Sequence, residues 1–114
     1  MSWASDFARE YTAAFNDSVT RGDFGALLAR FADDASIRFE NVPGAGVLEF
    51  TGRAAYTSAY EHRPPDDYID VAGPVSEDGA AVVIPFVWRR DQAPGTLRIT
   101  VAGGVIRRMV VTFG

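Results

Sequence analysis

Apolar residues recur every three or four positions in the first part of the chain and alternate with polar residues in the last part. Between Trp3 and about Val19, this three-and-four spacing marks one face of a helix, which Gly22 ends. Asp23 is placed to cap a second, shorter helix. The apolar face of that second helix comprises Phe24, Leu27, Leu28 and Phe31. The pattern therefore predicts an antiparallel pair of helices joined by a tight turn.

The apolar period changes to two after the second helix. Residues alternate between Ala35 and Glu40 as in a half-buried strand, and a turn at 43–46 leads to a returning strand at 47–50. A third helix is predicted from Arg53 to about His62, where two prolines follow. The remainder is typical of a sheet. Its strands are predicted at 68–72, 80–90, 96–101 and 105–113.

This order of elements predicts a single α+β domain covering residues 1–114. Helices segregated from a run of antiparallel strands form an α+β fold rather than a doubly wound one. Residues 81–88 are apolar on both faces of their strand, so one face is expected to meet the helices and the other a partner or a second layer. The natural inference is a homodimer. Pro85 cannot donate a hydrogen bond to a neighbouring strand, which predicts an edge, a bulge or a bend there.

Composition removes several classes of function. The 114 residues carry 11 arginines, no lysine and 15 acidic residues, for a net charge of −4, and scattered arginines do not suit a nucleic-acid surface. The lack of cysteine excludes a disulfide framework and a thiolate nucleophile. No stretch matches a signal peptide or a membrane span, so we expect a cytoplasmic protein without membrane contact.

Two short motifs, taken with the order of elements, point to a known family. Phe-Ala-Asp-Asp-Ala at 31–35 is expected to close the second helix, and Gly-Arg-Ala-Ala-Tyr at 52–56 opens the third. Over nearly its whole length the chain resembles the nuclear-transport-factor-2-like superfamily, and most of all its ketosteroid isomerase and SnoaL-like polyketide cyclase branch. The resemblance implies a cystatin-like cone, in which a curved antiparallel sheet wraps around about three helices. Such a cone encloses an apolar pocket open at one end and often dimerises through the outer face of the sheet.

The resemblance also implies roles for individual residues. Tyr11 matches the helix tyrosine that hydrogen-bonds the substrate carbonyl in the family's isomerases, and Tyr60 matches the tyrosine that supports it. The position of the general-base aspartate falls on Phe39, and that of the second carboxylic acid falls on Leu97. Both carboxyls of the isomerases are therefore replaced by apolar residues. A positioned general base contributes roughly 10²- to 10⁴-fold in rate, so this loss matters.

Other residues could supply a base only under special conditions. Glu40 would enter the pocket if a bulge shifted its strand by one residue, because such a slip reverses the face of every side chain. His62 could serve as a general base, as histidine commonly does, but its position at the end of a helix favours an exposed, structural role. Arg98 lacks the flanking aspartates of the family's epoxide hydrolases. With no second histidine or cysteine beside Glu61 and His62, neither a metal nor another cofactor is expected.

Two functions remain open from the sequence. The first is binding of a small hydrophobic molecule in the pocket, with isomerase or cyclase chemistry on a ketone-bearing substrate if the site holds a base. The alternative is a dimeric interaction scaffold with a filled interior, in which Tyr11 is an ordinary core tyrosine. Besides Tyr11 and Tyr60, the residues predicted to line the pocket are Phe15, Phe39, Tyr56, Trp88, Leu97, Met109 and Phe113.

Overall fold

The computed structural model describes residues 2–114, which form three helices and seven strands. In chain order the elements are α1 (Trp3–Arg21), α2 (Gly25–Leu28), β1 (Phe31–Val42), β2 (Gly46–Thr51), α3 (Arg53–His62), β3 (Ile69–Val71), β4 (Ser76–Asp78), β5 (Ala81–Trp88), β6 (Pro94–Ala102) and β7 (Val105–Phe113). None of the helices in this part of the chain is both long and apolar enough to cross a membrane.

The strands form one curved, unclosed sheet with the order β2-β1-β7-β6-β5-β3, and β4 pairs with β5 beside β3. The predicted α+β fold is confirmed, with one difference in the direction of the strands. β1 and β7 run parallel, so the sheet is mixed rather than wholly antiparallel. The reason is that most of the chain separates these two strands, so no hairpin forces them to run in opposite directions.

α1 begins and ends with local signals that the sequence shows. The hydroxyl of Ser2 accepts a hydrogen bond from the backbone N–H of Ser5 at 3.1 Å. Gly22 adopts a left-handed conformation with φ of 66°, and its N–H donates to the carbonyl groups of Ser18 and Val19. Tyr11 and Phe15 of the predicted apolar face are buried, whereas Trp3, which begins that face, is 46% exposed. The other buried residues of the helix are Ala4, Ala8 and Ser18.

The second helix is shorter than predicted. α2 has four residues and ends at Leu28, whereas the sequence pattern continued to Phe31. Phe31 instead opens β1, where it pairs with Ile106 and packs its ring at 5.4 Å from that of Tyr56. Phe31 is 1% exposed, and a buried residue at this position fits both a helical and an extended pattern. Its spacing alone therefore could not show whether it belongs to the helix or to the strand.

Asp33 and Asp34 lie inside β1 rather than at the end of a helix. The pairing of β1 with β7 shifts between Phe31 and Ser36, and the two aspartates occupy this irregular segment. Both carboxylates are exposed and ion-paired: Asp33 with Arg53 at 2.5 Å and Asp34 with Arg107 at 3.3 Å. They are therefore surface residues in ion pairs and do not form a catalytic pair.

Pro85 lies at a point where no N–H is needed. On one side of β5, β4 pairs with 81–83 and β3 with 86–88, so Pro85 falls in the gap between these two short strands. Its carbonyl accepts from the N–H of Ala72 at 2.9 Å. Val83, Pro85 and Val87 are only partly buried on the outer face, and the homodimer expected there stays a prediction.

Candidate functional site

A cavity of about 220 Å³ lies between the helices and the inner face of the sheet. All the residues predicted to line a pocket, apart from Glu40, surround this one cavity. They are Tyr11, Phe15, Phe39, Tyr56, Tyr60, Trp88, Leu97, Met109 and Phe113. The remaining lining residues are Arg63, Pro65, Ile69, Phe86 and Val111. Whether these residues bind a ligand stays a prediction.

The regular pairing of the strands explains why these side chains meet. Phe39, Val111 and Leu97 are neighbours across β1, β7 and β6, and Ile84 of β5 continues the row. Side chains at paired positions point to the same face of a sheet. The row therefore forms a continuous apolar surface facing the helices.

Tyr11 enters the cavity from α1 and is 2% exposed. Its hydroxyl donates to the thioether Sδ of Met109 at 3.4 Å, and this is its one hydrogen bond to the described residues. A thioether sulfur is a weak acceptor. Burial, together with the nearby Tyr60, raises the pKa of Tyr11 well above its usual value. The hydroxyl therefore stays protonated and is available as a hydrogen-bond donor inside the cavity.

Tyr56 and Tyr60 form a pair on α3. The hydroxyl of Tyr56 donates to that of Tyr60 at 2.7 Å, and the ring centroids are 4.6 Å apart. The predicted support of Tyr11 by Tyr60 is thus not a direct hydrogen bond, because the i, i+4 spacing on α3 brings Tyr60 to Tyr56 instead. Burial raises the pKa of Tyr56 well above its usual value, and raises the pKa of Tyr60 to about 12 although the hydrogen bond from Tyr56 opposes the shift.

Aromatic rings form much of the cavity wall. The rings of Phe15 and Trp88 meet edge to face with centroids 6.2 Å apart, and Trp88 stacks on Phe113 at 6.5 Å. Phe39 lies 6.0 Å from Phe113 and 6.2 Å from Tyr56. Trp88, Phe113 and Phe39 are only partly buried, whereas Tyr11 and Tyr56 are fully buried. The partly buried rings therefore mark the rim, and the two tyrosines the floor.

Glu40 does not line the cavity. In the pairing of β1 with β2 the irregularity comes after Phe39, between Phe39 and Val42, so Phe39 keeps its inward position and Glu40 follows on the other face. The carboxylate of Glu40 accepts from Arg38 Nε at 2.7 Å and from the hydroxyl of Thr112 at 3.3 Å. The condition under which Glu40 would act as a base is therefore not met.

The other titratable candidates also lie outside the cavity. His62 is exposed at the end of α3, and Arg98 forms an ion pair with Asp78 at 2.5 Å. No group of three or more histidine, cysteine or acidic side chains within residues 2–114 is arranged to hold a metal ion. In the same part of the chain, no carboxylate and no imidazole lines the cavity.

Sequence reasoning did not predict Arg63, Pro65 and Ile69 as lining residues. Ile69 is held in place by Asn16 of α1, whose side-chain amide donates to the Ile69 carbonyl at 2.9 Å and accepts from its N–H at 3.0 Å. Such a two-bond contact imitates a neighbouring strand and secures β3 against α1. The feature of the sequence that could have indicated this contact is Asn16 itself, a polar residue on the partly buried side of an otherwise apolar helix.

Solved structures share this fold, although no protein-family model matches the sequence and no curated protein matches it either. A proposed isomerase of the SnoaL-like family from Agrobacterium tumefaciens superposes with a TM-score of 0.75 at 16% identity, covering 100% of this chain and 99% of that one. An NTF2-like protein of unknown function from Burkholderia xenovorans gives a TM-score of 0.70 at 18% identity, with 99% and 87% covered.

A proposed ketosteroid isomerase from Kribbella flavida gives a TM-score of 0.59 at 23% identity, covering 92% of this chain and 78% of that one. Together these similarities show that the chain has the nuclear-transport-factor-2-like fold, as its sequence motifs predicted. At such identities the likeness concerns the fold alone, since one fold supports many functions. The chemistry of this chain depends on the residues of its own cavity.

Proposed function

We propose that the protein binds a small, compact hydrophobic molecule in the cavity and that a hydrogen-bond acceptor of this molecule accepts from Tyr11. The observation that carries the proposal is the partner of this hydroxyl. A buried donor without a good acceptor costs about 1–3 kcal/mol, and the sulfur of Met109 satisfies Tyr11 only weakly. A ligand carbonyl or hydroxyl oxygen would be a stronger acceptor in the same place.

The size of the cavity limits the ligand. An engineered cavity of roughly 150 Å³ in another protein holds benzene. The 220 Å³ here therefore suits one ring with a few substituent atoms, or two small fused rings. A four-ring steroid needs more space than the cavity offers, so we propose a monocyclic or bicyclic ligand.

Binding is preferred to turnover because the cavity supplies donors and no base. Tyr11, Tyr56 and Tyr60 all have a raised pKa and remain protonated near neutral pH. They can polarise a ketone, which is one half of isomerase or cyclase chemistry. The other half needs a group that removes a proton, and no carboxylate or imidazole lines the cavity within the described residues. Isomerase or cyclase turnover in this cavity would therefore require the ligand itself or a water molecule to act as the base.

The test uses two ligands that differ in the acceptor alone. Acetophenone carries a carbonyl group, and ethylbenzene has a similar size without it. We expect both to raise the melting temperature of the protein, since a ligand that binds only the native state stabilises it. The Tyr11→Phe variant should bind acetophenone roughly five- to tenfold more weakly and ethylbenzene equally well. A four-ring steroid should produce no shift.

The control variant is Tyr68→Phe. Tyr68 is hydrogen-bonded to Thr20 at 3.1 Å and does not line the cavity, so its replacement should leave both affinities unchanged. Equal binding of acetophenone by the Tyr11→Phe variant would show that this hydroxyl is structural. No shift with any of the ligands would favour the scaffold alternative, in which the interior has no ligand.

A further inference from the structure

Arg63 brings a positive charge to the wall of an otherwise uncharged cavity. It is the C-terminal capping residue of α3, one helical turn after Tyr60, and both side chains line the cavity. Pro64 and Pro65 follow directly, which limits the backbone freedom of the segment. Among the lining residues that the structure describes, Arg63 alone is charged at neutral pH.

Arg63 forms no ion pair with a described residue, whereas most other arginines do. The acidic residues close to Arg63 in sequence contact other groups or lie elsewhere on the surface. The carboxylate of Asp67 accepts from the N–H groups of Tyr68 and Arg90, and Asp66 lies 3.9 Å from the Arg90 guanidinium. Glu61 lines a different groove, between α3 and α2. Arg63 is thus an exposed lining residue without an ion pair to a described residue.

An apolar cavity lined by one arginine that has no ion-pair partner suits an amphipathic anion. A guanidinium offers paired N–H donors that fit both oxygens of a carboxylate. We infer that the natural ligand is a small aromatic or alicyclic carboxylate. Its ring, with the acceptor that reaches Tyr11, lies among the aromatic side chains, and its carboxylate is a second polar group that contacts Arg63. This inference rests on the proposed function and assigns the ligand its chemical class.

The position of Arg63 also sets the size of the effect. Its side chain is exposed, so water and salt screen its attraction for an anion. It caps the C-terminal end of a helix, where the backbone carbonyl groups give a negative potential that opposes a bound anion. We therefore expect a contribution of roughly tenfold in affinity, decreasing as salt is added.

The experiment compares 3-phenylpropionate with its neutral amide, 3-phenylpropanamide, by calorimetric titration of the full chain. Wild-type protein should bind the carboxylate roughly tenfold more tightly than the amide. Arg63→Gln should weaken the carboxylate to the level of the amide and leave the amide unchanged. The matched control is Arg108→Gln, which removes the same charge from an exposed arginine that forms no ion pair with a described residue and lies outside the cavity.

The outcomes separate this inference from the proposed function on which it rests. If the amide binds and the carboxylate has no advantage, or if Arg63→Gln weakens both ligands equally, the assignment of a carboxylate ligand is wrong and the hydrophobic cavity stands. An equal loss in the Arg108→Gln variant would mean that net charge, and not Arg63, attracts the anion. If neither ligand binds while acetophenone also fails, the proposed function and this inference are both overturned.

Discussion

The space between helices and sheet has two ends, which the same strands line in different ways. At the closed end, Ile37, Ile99 and Val82 lie in one row of paired positions that runs through Met109, and the three are each 0% exposed; Met109 is the member of this row that also lines the cavity. Two residues further along the same strands, the row that contains Leu97 borders the cavity. Aliphatic side chains interdigitate at high density. The wall of the cavity is instead largely aromatic, with rings such as Phe15 and Trp88 that meet edge to face.

This difference shows that one pattern of alternation builds both a core and a cavity. The closed end accounts for stability, since its side chains are surrounded by others on every side. The cavity keeps three tyrosines and an arginine beside empty space. Substitutions at the two ends should therefore differ in the property that they change.

The largest effect is expected at the closed end. Ile99→Ala should lower the free energy of unfolding by about 2–5 kcal/mol, because it removes a fully enclosed side chain. Leu97→Ala, two residues away on the same face of β6, should cost less because Leu97 already borders a cavity on one side. Chemical denaturation of both variants measures the difference. Equal losses would mean that the cavity is closed by side-chain motion in solution.

The next largest effect on stability is expected at the open end, where Gly95 and Phe86 lie close together. A methyl group on Gly95 would lie 2.5 Å from Cζ of Phe86 and 3.0 Å from the carbonyl oxygen of Thr112. Gly95→Ala should therefore displace the Phe86 ring, cost about 1–3 kcal/mol of stability and weaken ligand binding. Phe86→Leu removes the clashing ring atoms, so Gly95→Ala should cost less in that background. An equal cost in both backgrounds would place the strain in the backbone at Thr112.

Alkaline pH should destabilise the open end. The pKa values of Tyr11, Tyr56 and Tyr60 are raised in the folded protein, so above about pH 10 the unfolded chain loses protons that the native state retains. Stability should thus be steady up to that pH and then fall by about 1.4 kcal/mol per pH unit for each such tyrosine. Tyr56→Phe should reduce the slope of a plot of stability against pH. The same slope in wild type and variant would contradict this assignment.

The smallest effect separates the two kinds of tyrosine hydroxyl. Tyr56→Phe removes a hydrogen bond of 2.7 Å between hydroxyls and should cost about 1 kcal/mol. Tyr11→Phe removes only the contact with the Met109 sulfur and should change the stability of the ligand-free protein by less than about 0.5 kcal/mol. Thermal unfolding of both variants gives the comparison. A larger loss for Tyr11→Phe than for Tyr56→Phe would assign Tyr11 a structural role.

Alternation predicted the faces of the strands correctly because side-chain direction in a strand is a local property. Alternation showed only which side chains share a face, and the family resemblance is what implied that the positions of Phe39 and Leu97 face the pocket; both line the cavity, as do Met109 and Phe113. Helical spacing likewise placed Tyr11 on the buried face of α1. The pattern failed at Phe31, where burial suits a helix and a strand alike.

The sequence by itself determined the broad order of helices and strands and which side chains of a strand share a face, because periodicity and turn residues act over a few positions. Only the tertiary structure decided where along the inner face the cavity lies, that Tyr60 bonds to Tyr56, and that Arg63 lines the cavity. These facts depend on how α1 and α3 sit against a curved sheet whose first and last strands pair across the length of the chain. The volume of a cavity depends on how side chains from distant segments pack together, so a local sequence pattern cannot predict it.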